Sequence, residues 1–139
     1  MADGVTLDRR GLDALLAASR ALDAVAVDFG AMGEGGGPAP RHPSGGGTTA
    51  DVLAAHEYGL GGNDETPIVR AVAHGKGEEI GEVAAKAAAK VLAGTATPDE
   101  AAKSVGEHAV GLLRARIESV GLIDTGATRD SLTWARGRK

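Results

Sequence analysis

Residues 94–100 read Gly-Thr-Ala-Thr-Pro-Asp-Glu and decide the fold, because they end one helix and start another within a few positions. Gly94 is placed to end the first helix, since glycine readily takes the backbone conformation of a helix C-cap. Thr97 and Glu100 have the spacing of a capping box, and Pro98 stands at the first helical position. Two helices separated by so short a turn are expected to be antiparallel.

The segments on either side of this turn are amphipathic at helical spacing. Both predicted helices, residues 78–93 and 97–120, carry apolar residues every three or four positions. The stripes consist of Ile80, Val83, Ala87 and Val91 in the first helix, and of Val105, Ala109, Leu113, Ile117 and Val120 in the second. Residues 78–120 are therefore predicted to form a helical hairpin.

The chain before the hairpin changes its periodicity twice. Residues 8–20 predict a short amphipathic helix, with Leu12, Leu15, Leu16 and Ser19 on one face. Apolar and other residues then alternate over 22–29, which predicts a half-buried strand. Residues 131–136 also have strand character.

Between these elements lie a glycine-rich loop and a second short helix. Residues 30–47 contain eight Gly and three Pro, which predicts a long flexible loop. Thr48 or Thr49 is placed to cap a helix that runs to Tyr58 and stops at Gly59. For residues 68–72 the pattern does not distinguish a strand from the start of a helix. The sequence thus predicts an α+β fold: a small antiparallel or mixed sheet packed against an antiparallel helical hairpin, with a long Gly-rich loop.

Size and composition favour one thin-cored domain spanning residues 1–139. Only three residues are aromatic, Phe29, Tyr58 and Trp134, so Ala and Gly replace the large side chains that usually fill a core. Burial against neighbouring subunits would compensate for that deficit. A stable monomer with an Ala-packed helical core is the simpler alternative. The absence of cysteine excludes disulfides and thiolate chemistry.

Charge is distributed unevenly along the chain. Residues 1–110 hold nine basic and sixteen acidic side chains, whereas residues 111–139 hold six basic and three acidic ones. Residues 136–139 form a basic tail that could meet an acidic neighbour or nucleic acid, or remain a solvated terminus. No signal-peptide pattern or membrane-length apolar run is present, so a soluble protein made in a cytoplasm is expected.

Asp124-Thr125-Gly126 follows two apolar residues, as the active-site signature of aspartic proteases does. Such an enzyme needs two carboxylates that share a proton, so a single copy would have to dimerise. Long helices precede the tripeptide, however, and only thirteen residues follow Gly126, too few for the strands that build a substrate cleft. We therefore expect Asp124 to accept backbone N–H bonds at a turn. Thr125 is placed to cap a short helical turn.

Other catalytic and binding chemistry is poorly supported. The four histidines are scattered, and His56-Glu57 lacks the second histidine of a zinc helix. No serine lies in a nucleophile elbow, and no glycine run matches a phosphate or dinucleotide loop. We expect no enzymatic activity, no cofactor and no metal. A nucleic-acid module would rest only on the C-terminal charges.

Three motifs in fixed order resemble a known family. The first is His56-Glu57-Tyr58-Gly59 before Thr66-Pro67, and the second is the turn at 94–98 followed by residues 105–110. The third runs from Leu122 through Asp-Thr-Gly to Ser131-Leu132. Together they resemble the tail-completion and virion-morphogenesis proteins of long-tailed phages (the Mu-like morphogenesis and lambdoid minor-tail groups), over residues 22–135.

The chain departs from that family at two places. The family usually has Pro-x-Arg-Pro-Phe after the first motif, where this chain has Glu-Thr-Pro-Ile-Val-Arg at residues 65–70. The usual Leu of the third motif is Thr128. These departures leave open the subfamily, and with it the position in the neck.

The resemblance implies a structural virion protein, a tail-completion or neck subunit that forms a ring and joins tail to head. The implied partners are further copies of the chain (a hexamer first, a dodecamer second), a tail-tube or tail-terminator protein, and portal-side connector proteins. DNA in the lumen is a further implied contact, and a membrane is not. The residues expected in structural or interface roles are His56, Glu57, Tyr58, Gly59, Asp124, Thr125, Gly126, Ser131 and Trp134. The alternatives are a head-closure ring under the portal, an aspartic-type hydrolase using Asp124, and a DNA-binding module.

Overall fold

The computed structural model describes residues 9–122 and 126–137, which form six helices and one two-stranded sheet. In chain order the elements are α1 (Arg9–Asp23), β1 (Val27–Ala31), a 3₁₀ turn (Glu34–Gly36), α2 (Thr49–Tyr58), α3 (Val69–Gly75), α4 (Gly77–Leu92), α5 (Pro98–Ser119), α6 (Ala127–Asp130) and β2 (Leu132–Arg136). The fold class is the predicted α+β. The sheet is antiparallel, with Phe29 opposite Trp134 and Ala31 opposite Leu132.

The hairpin of α4 and α5 is the centre of the fold, as the sequence predicts. The capping box at its turn is present, because Thr97 accepts the backbone N–H of Glu100 and the Glu100 carboxylate accepts that of Thr97. The two arms are antiparallel: His108, in the middle of α5, bonds Glu79 near the start of α4 at 2.9 Å. Gly94 has a positive φ of 75° just after the end of α4.

The main core lies where α5 meets the sheet, α2 and α3. Its buried members are Leu53, Ile68, Val72, Val110, Leu113, Ile117 and Leu132. A smaller cluster of Ala87, Val91 and Ala101 lies between α4 and α5, and Ala18 and Leu22 of α1 pack on it. Small side chains dominate this second cluster, so the thin core expected from the composition is found there.

The boundaries of the first two elements differ from the prediction. The strand predicted at 22–29 spans Val27–Ala31, and α1 continues to Asp23. Leu22 stays helical because its side chain packs on the small cluster of α4 and α5. The strand is set by its partner, since the ladder with β2 starts at Val27 and ends at Ala31.

The apolar face predicted for the first helix is on the outside. Leu12, Leu15 and Leu16 are 45%, 46% and 46% exposed, and no residue of α1 is buried. The helix contacts α4 through Ala18 and Leu22, about a quarter-turn away from these three leucines, which we call the leucine stripe. The stripe therefore faces away from the core of its own chain.

The glycine-rich segment has more structure than the flexible loop that the composition predicts. Its first two residues belong to β1, and a 3₁₀ turn packs near β2, with Gly36 approaching Ala135. A second turn closes where the backbone N–H of His42 donates to Gly47 at 2.8 Å. Positive φ angles at several of the glycines permit these local hydrogen bonds.

Candidate functional site

The first motif ends α2 and turns the chain toward α3. Thr48 caps the start of α2 in a capping box with Asp51, and Gly59 ends the helix in the left-handed conformation at φ 64°. Hydrogen bonds to Thr48 lower the pKa of Asp51 below its ordinary value. After Gly59 the chain folds back, and the backbone N–H of Thr66 donates to the His56 carbonyl at 2.7 Å. The loop after the motif is thereby closed on the helix that it leaves.

Glu57 is the most constrained charged residue of this motif. It is only 3% exposed, and its Oε2 accepts the backbone N–H groups of Ile68 and Val69 at 2.6 and 2.8 Å. Its Oε1 accepts the backbone N–H and the side-chain Nε of Arg70 at 3.0 and 2.9 Å. We call this arrangement, in which Glu57 binds the first turn of α3 and Arg70, the Glu57 clamp.

The clamp explains how a carboxylate can be ionised in a buried place. Burial by itself raises the pKa of Glu57, but the hydrogen bonds from Ile68, Arg70 and Val69 together outweigh it. The net pKa lies below the ordinary value of 4.5. The N-terminus of α3 offers N–H donors that have no partner within the helix, together with a partial positive charge, and both suit a negative group. Glu57 thus acts as the cap of a helix eleven residues further along the chain.

Arg70 links the clamp to the surface. Its guanidinium also donates to the Glu57 carbonyl and pairs with Glu65 at 2.7 Å. These two carboxylates raise the pKa of Arg70, that of Glu65 having the larger effect. The same guanidinium lies over the ring of Tyr58, 5.1 Å from its centroid. Tyr58 is 59% exposed, so it belongs to the surface of the chain and not to its core, and the interface role predicted for it stays a prediction.

The third motif is only partly described. Asp124 and Thr125 lie outside the described residues, so the backbone-binding role predicted for Asp124 stays a prediction. Gly126 has φ 75° and occupies the N-cap position of α6, so the prediction that Thr125 caps this turn is wrong. The helix starts one residue later than predicted because this left-handed residue cannot belong to it.

Ser131 and Trp134 continue the motif into β2. Ser131 is buried and its hydroxyl donates to the Thr128 carbonyl at 2.8 Å, which closes the turn of α6. Trp134 packs on the main core, and its ring lies directly on Gly106 of α5. A methyl group at Gly106 would stand 2.3 Å from two ring atoms of Trp134. Trp134 thus has a structural role, since it packs against the core, and Gly106 makes room for it.

Residues of the first and third motifs line the same cleft, which has a volume of about 690 Å³. Its walls come from α2, the glycine-rich turn, the end of α5 and the start of α6; His42, His56, Leu122 and Gly126 are among the lining residues. Glu57, Tyr58, Ser131 and Trp134 do not line it. The structure therefore divides the predicted site residues among a cleft, a buried clamp, a surface patch and the core.

The cleft contains one hydrogen-bonded pair of a histidine and a serine. His42 Nδ1 lies 2.6 Å from Ser44 Oγ, and the backbone N–H of Ser44 donates to the same nitrogen at 3.2 Å. Both bonds join residues two apart in a turn, so they hold the turn closed. In the described residues, no three His, Asp or Glu side chains lie together as a metal site requires.

The predicted basic tail begins inside the fold. Arg136 belongs to β2, and its guanidinium pairs with Asp99 at the start of α5 at 2.7 Å. Gly137 follows, with its N–H donating to the Ala26 carbonyl at 2.9 Å. The last two residues lie outside the described part of the chain. In residues 9–122 and 126–137, no helix has both the length and the apolar character needed to cross a bilayer.

Two residues central to these arrangements were not among the predicted site residues. In the sequence, Arg70 stands only within a stretch that departs from the family pattern. An acidic residue at the end of one helix, shortly before the start of the next, nevertheless indicates a basic partner such as Arg70. Gly106 interrupts a strong helical pattern, and such a glycine often indicates close packing. Comparisons with family models, with curated proteins and with solved structures found no match to this chain.

Proposed function

We propose that this chain is a structural subunit of a phage or phage-derived tail, of the tail-completion or neck type. Copies of the chain would form a ring at the head-proximal end of the tail and join the tail to the head. Its place would then be the virion, after assembly in the cytoplasm of the bacterial host. The chain would catalyse no reaction and need no cofactor.

The proposal rests on the structural role of Glu57, the carboxylate of the first motif. In the described part of the chain its carboxylate accepts four hydrogen bonds, three from the backbone at the first turn of α3 and one from the side chain of Arg70. A general base needs a free lone pair and a pKa near the working pH, whereas Glu57 has occupied oxygens and a lowered pKa. Residues of the resembling motif thus hold backbone in place, as a scaffold requires.

The composition and the exposed surface support a subunit that works in copies. The cluster between α4 and α5 is built mainly of alanine, and the chain has only three aromatic residues. The leucines of α1 are about half exposed, which is unusual for a helix that faces only water. Repeated contacts between copies would bury such surface and add stability that a thin core lacks.

The remaining partners follow from a position between tail and head. A ring at the end of a tail would contact the tail tube or its terminator protein on one side and connector proteins near the portal on the other. A DNA contact in the lumen has weaker support, since Arg136 is paired with Asp99. Exposed basic side chains are what binding to phosphates requires.

The experiment that tests the proposal measures size and association. Sedimentation of the purified protein, alone and mixed with tail tubes or particles from the cells that make it, should show rings that bind one end of the tube. Electron microscopy of the complex should show six-fold symmetry. A protein that stays monomeric and never co-purifies with tails or particles would refute the proposal.

The same samples separate the alternatives. A twelve-fold ring bound to portal complexes and not to tail tubes would favour a head-closure ring. Proteolytic activity that disappears in Asp124→Asn, while assembly is unchanged, would favour a hydrolase. DNA affinity that falls steeply with salt and with removal of residues 136–139 would favour a nucleic-acid module.

A further inference from the structure

The cleft between α2, the glycine-rich turn and the start of α6 contains a ring nitrogen that the chain leaves without a hydrogen bond. The volume of the cleft, about 690 Å³, is in the range of sites that bind ligands. His42 lines it and is only 8% exposed. In the described part of the chain, its Nδ1 is bonded to the hydroxyl and the backbone N–H of Ser44, whereas its Nε2 has no partner.

The bonds at Nδ1 determine where the ring of His42 holds its proton. A backbone N–H can only donate, so Nδ1 is the acceptor, and in a neutral imidazole the proton is then on Nε2. Nε2 is also open to the cleft, because Thr49 Oγ1 is the one side-chain polar atom of the described residues that is enclosed without a hydrogen bond. A buried imidazole thus presents an N–H donor to the cleft. Leaving such a donor unpaired is unfavourable, and a bound acceptor would remove that cost.

Other lining residues supply an acceptor and an apolar floor. Asn63 donates through Nδ2 to the Leu60 carbonyl at 2.7 Å, and its Oδ1 has no partner among the described residues. Ile68 and Ile117 line the cleft as members of the main core and are 1% and 0% exposed. A peptide group carries one C=O acceptor and one N–H donor. The cleft therefore matches a stretch of extended peptide backbone with an aliphatic side chain.

The charges of the cleft favour an uncharged ligand. Asp51 lines it, and hydrogen bonds from the backbone and the side chain of Thr48 lower the pKa of Asp51, so this carboxylate is ionised at neutral pH. Among the described residues that line the cleft there is no Lys or Arg. A phosphate or carboxylate would meet a like charge and no fixed cation, which disfavours anions.

We propose that this cleft binds an extended, uncharged segment of a partner protein. An aliphatic side chain of the segment lies on the floor, and one of its backbone carbonyls accepts from His42 Nε2. His56 of the first motif lines the same cleft from α2, and its ring makes no hydrogen bond to the described residues. Such a site goes beyond the proposed function, since it would bind the same segment in a protein that never meets a tail.

Titrations with two small probes, followed by NMR of the intact protein, test the ligand class. N-acetyl-leucine N-methylamide has two peptide groups and an aliphatic side chain, and should bind with a Kd of roughly 1 mM, as expected for its size. N-acetyl-leucine, in which a carboxylate replaces one peptide group, should bind about 3-fold more weakly. The ring signals of His42 and His56 and the methyl signals of Leu122 should shift, and those of the exposed Leu92 should not. Equal or tighter binding of the anionic probe, or no shift far above the expected Kd, would overturn the proposal.

Two substitutions at one position separate the roles of the two nitrogens of His42. The amide of Asn reaches about as far as Nδ1, so His42→Asn keeps an acceptor for the Ser44 N–H and removes the donor at Nε2. The amide of Gln reaches the position of Nε2, so His42→Gln keeps that donor. His42→Asn should weaken binding of the neutral probe about 3- to 10-fold, and His42→Gln should bind close to wild type. A residue that only closes the turn would give the opposite order, and that result would refute the donor role.

A second variant keeps the test decisive if thermal melting shows that the turn does not tolerate a change at His42. His56→Ala removes a half-buried ring from the wall of the cleft and should weaken binding of the neutral probe at least about 2-fold. The matched control is His74→Ala at an exposed position of α3, which should leave binding unchanged. Unchanged binding in His56→Ala would count against the site. A chain that binds the neutral probe but never binds tails would refute the proposed function alone.

Discussion

Replacing Gly106 by alanine should destabilise the protein, although alanine is the better helix former. A β-carbon at this position would lie 2.3 Å from Cγ and Cδ2 of Trp134 and 2.8 Å from its Cβ. Carbon atoms in contact normally stand about 3.5–4.0 Å apart. The ring cannot rotate clear, because the Cβ of Trp134 is itself in the way and is fixed by the ladder with Phe29. Helix and strand must therefore move apart.

The net change in the free energy of unfolding is the difference between a packing cost and a gain in helix propensity. Forcing an extra carbon into a packed core costs about 1–3 kcal/mol, and contact with backbone-fixed atoms places this site at the upper end. Replacing a mid-helix glycine by alanine returns about 1 kcal/mol. We expect a net loss of about 2 kcal/mol in the free energy of unfolding. For a domain of this size that lowers Tm by roughly 6–10 °C.

The same helix supplies a matched control. Gly111 is exposed, and a β-carbon there meets nothing within 4 Å. Gly111→Ala should therefore stabilise the protein by about 0.5–1 kcal/mol. Urea and thermal unfolding followed by circular dichroism measure both variants, and the emission of Trp134, the only tryptophan, reports on the contact itself.

A double-mutant cycle assigns the cost to the ring. In a Trp134→Ala background the clash is gone, so Gly106→Ala should become neutral or stabilising. A Gly106→Ala variant as stable as Gly111→Ala would refute the clash with Trp134. A cost of Gly106→Ala that persists in the Trp134→Ala background would refute it as well.

Three further predictions concern the clamp, the third motif and the hairpin. Glu57→Gln turns an amide N–H₂ toward backbone donors and should lower the free energy of unfolding by about 3 kcal/mol at neutral pH. Because the pKa of Glu57 is lower in the folded state than its ordinary value of 4.5, the wild-type advantage is complete above pH 4.5 and shrinks as the pH falls through the folded pKa. Unfolding of both proteins measured across pH checks this dependence. Gly126→Val, at φ 75°, should cost at least 1–2 kcal/mol in thermal unfolding and impair assembly, whereas Gly81→Ala on an open helix surface should not; normal melting of Gly126→Val would show that this glycine is incidental. Thr97→Ala removes the cap of α5 and should cost about 1 kcal/mol in urea unfolding, and an unchanged midpoint would contradict the capping role.

The Glu57 clamp and the leucine stripe differ in how far the sequence could predict them. Glu57 was singled out from its motif, but its partners stand eleven to thirteen residues away, beyond any helical repeat. The stripe was found from its periodicity, yet periodicity does not say whether a face meets its own core or another molecule. Both needed the packing of distant elements to acquire a role.

The sequence by itself determined what depends on neighbouring residues. The capping box at Thr97, the helix end at Gly59 and the antiparallel hairpin all involve groups within a few positions, so their residue types suffice to predict them. At the start of α2 the sequence leaves Thr48 and Thr49 open as caps, and the structure selects Thr48. Only the tertiary structure decided the extent of β1, which its partner strand sets, and the fit of Trp134 on Gly106. Such long-range pairs depend on how helices and strands pack against each other, and local residue preferences do not specify that packing.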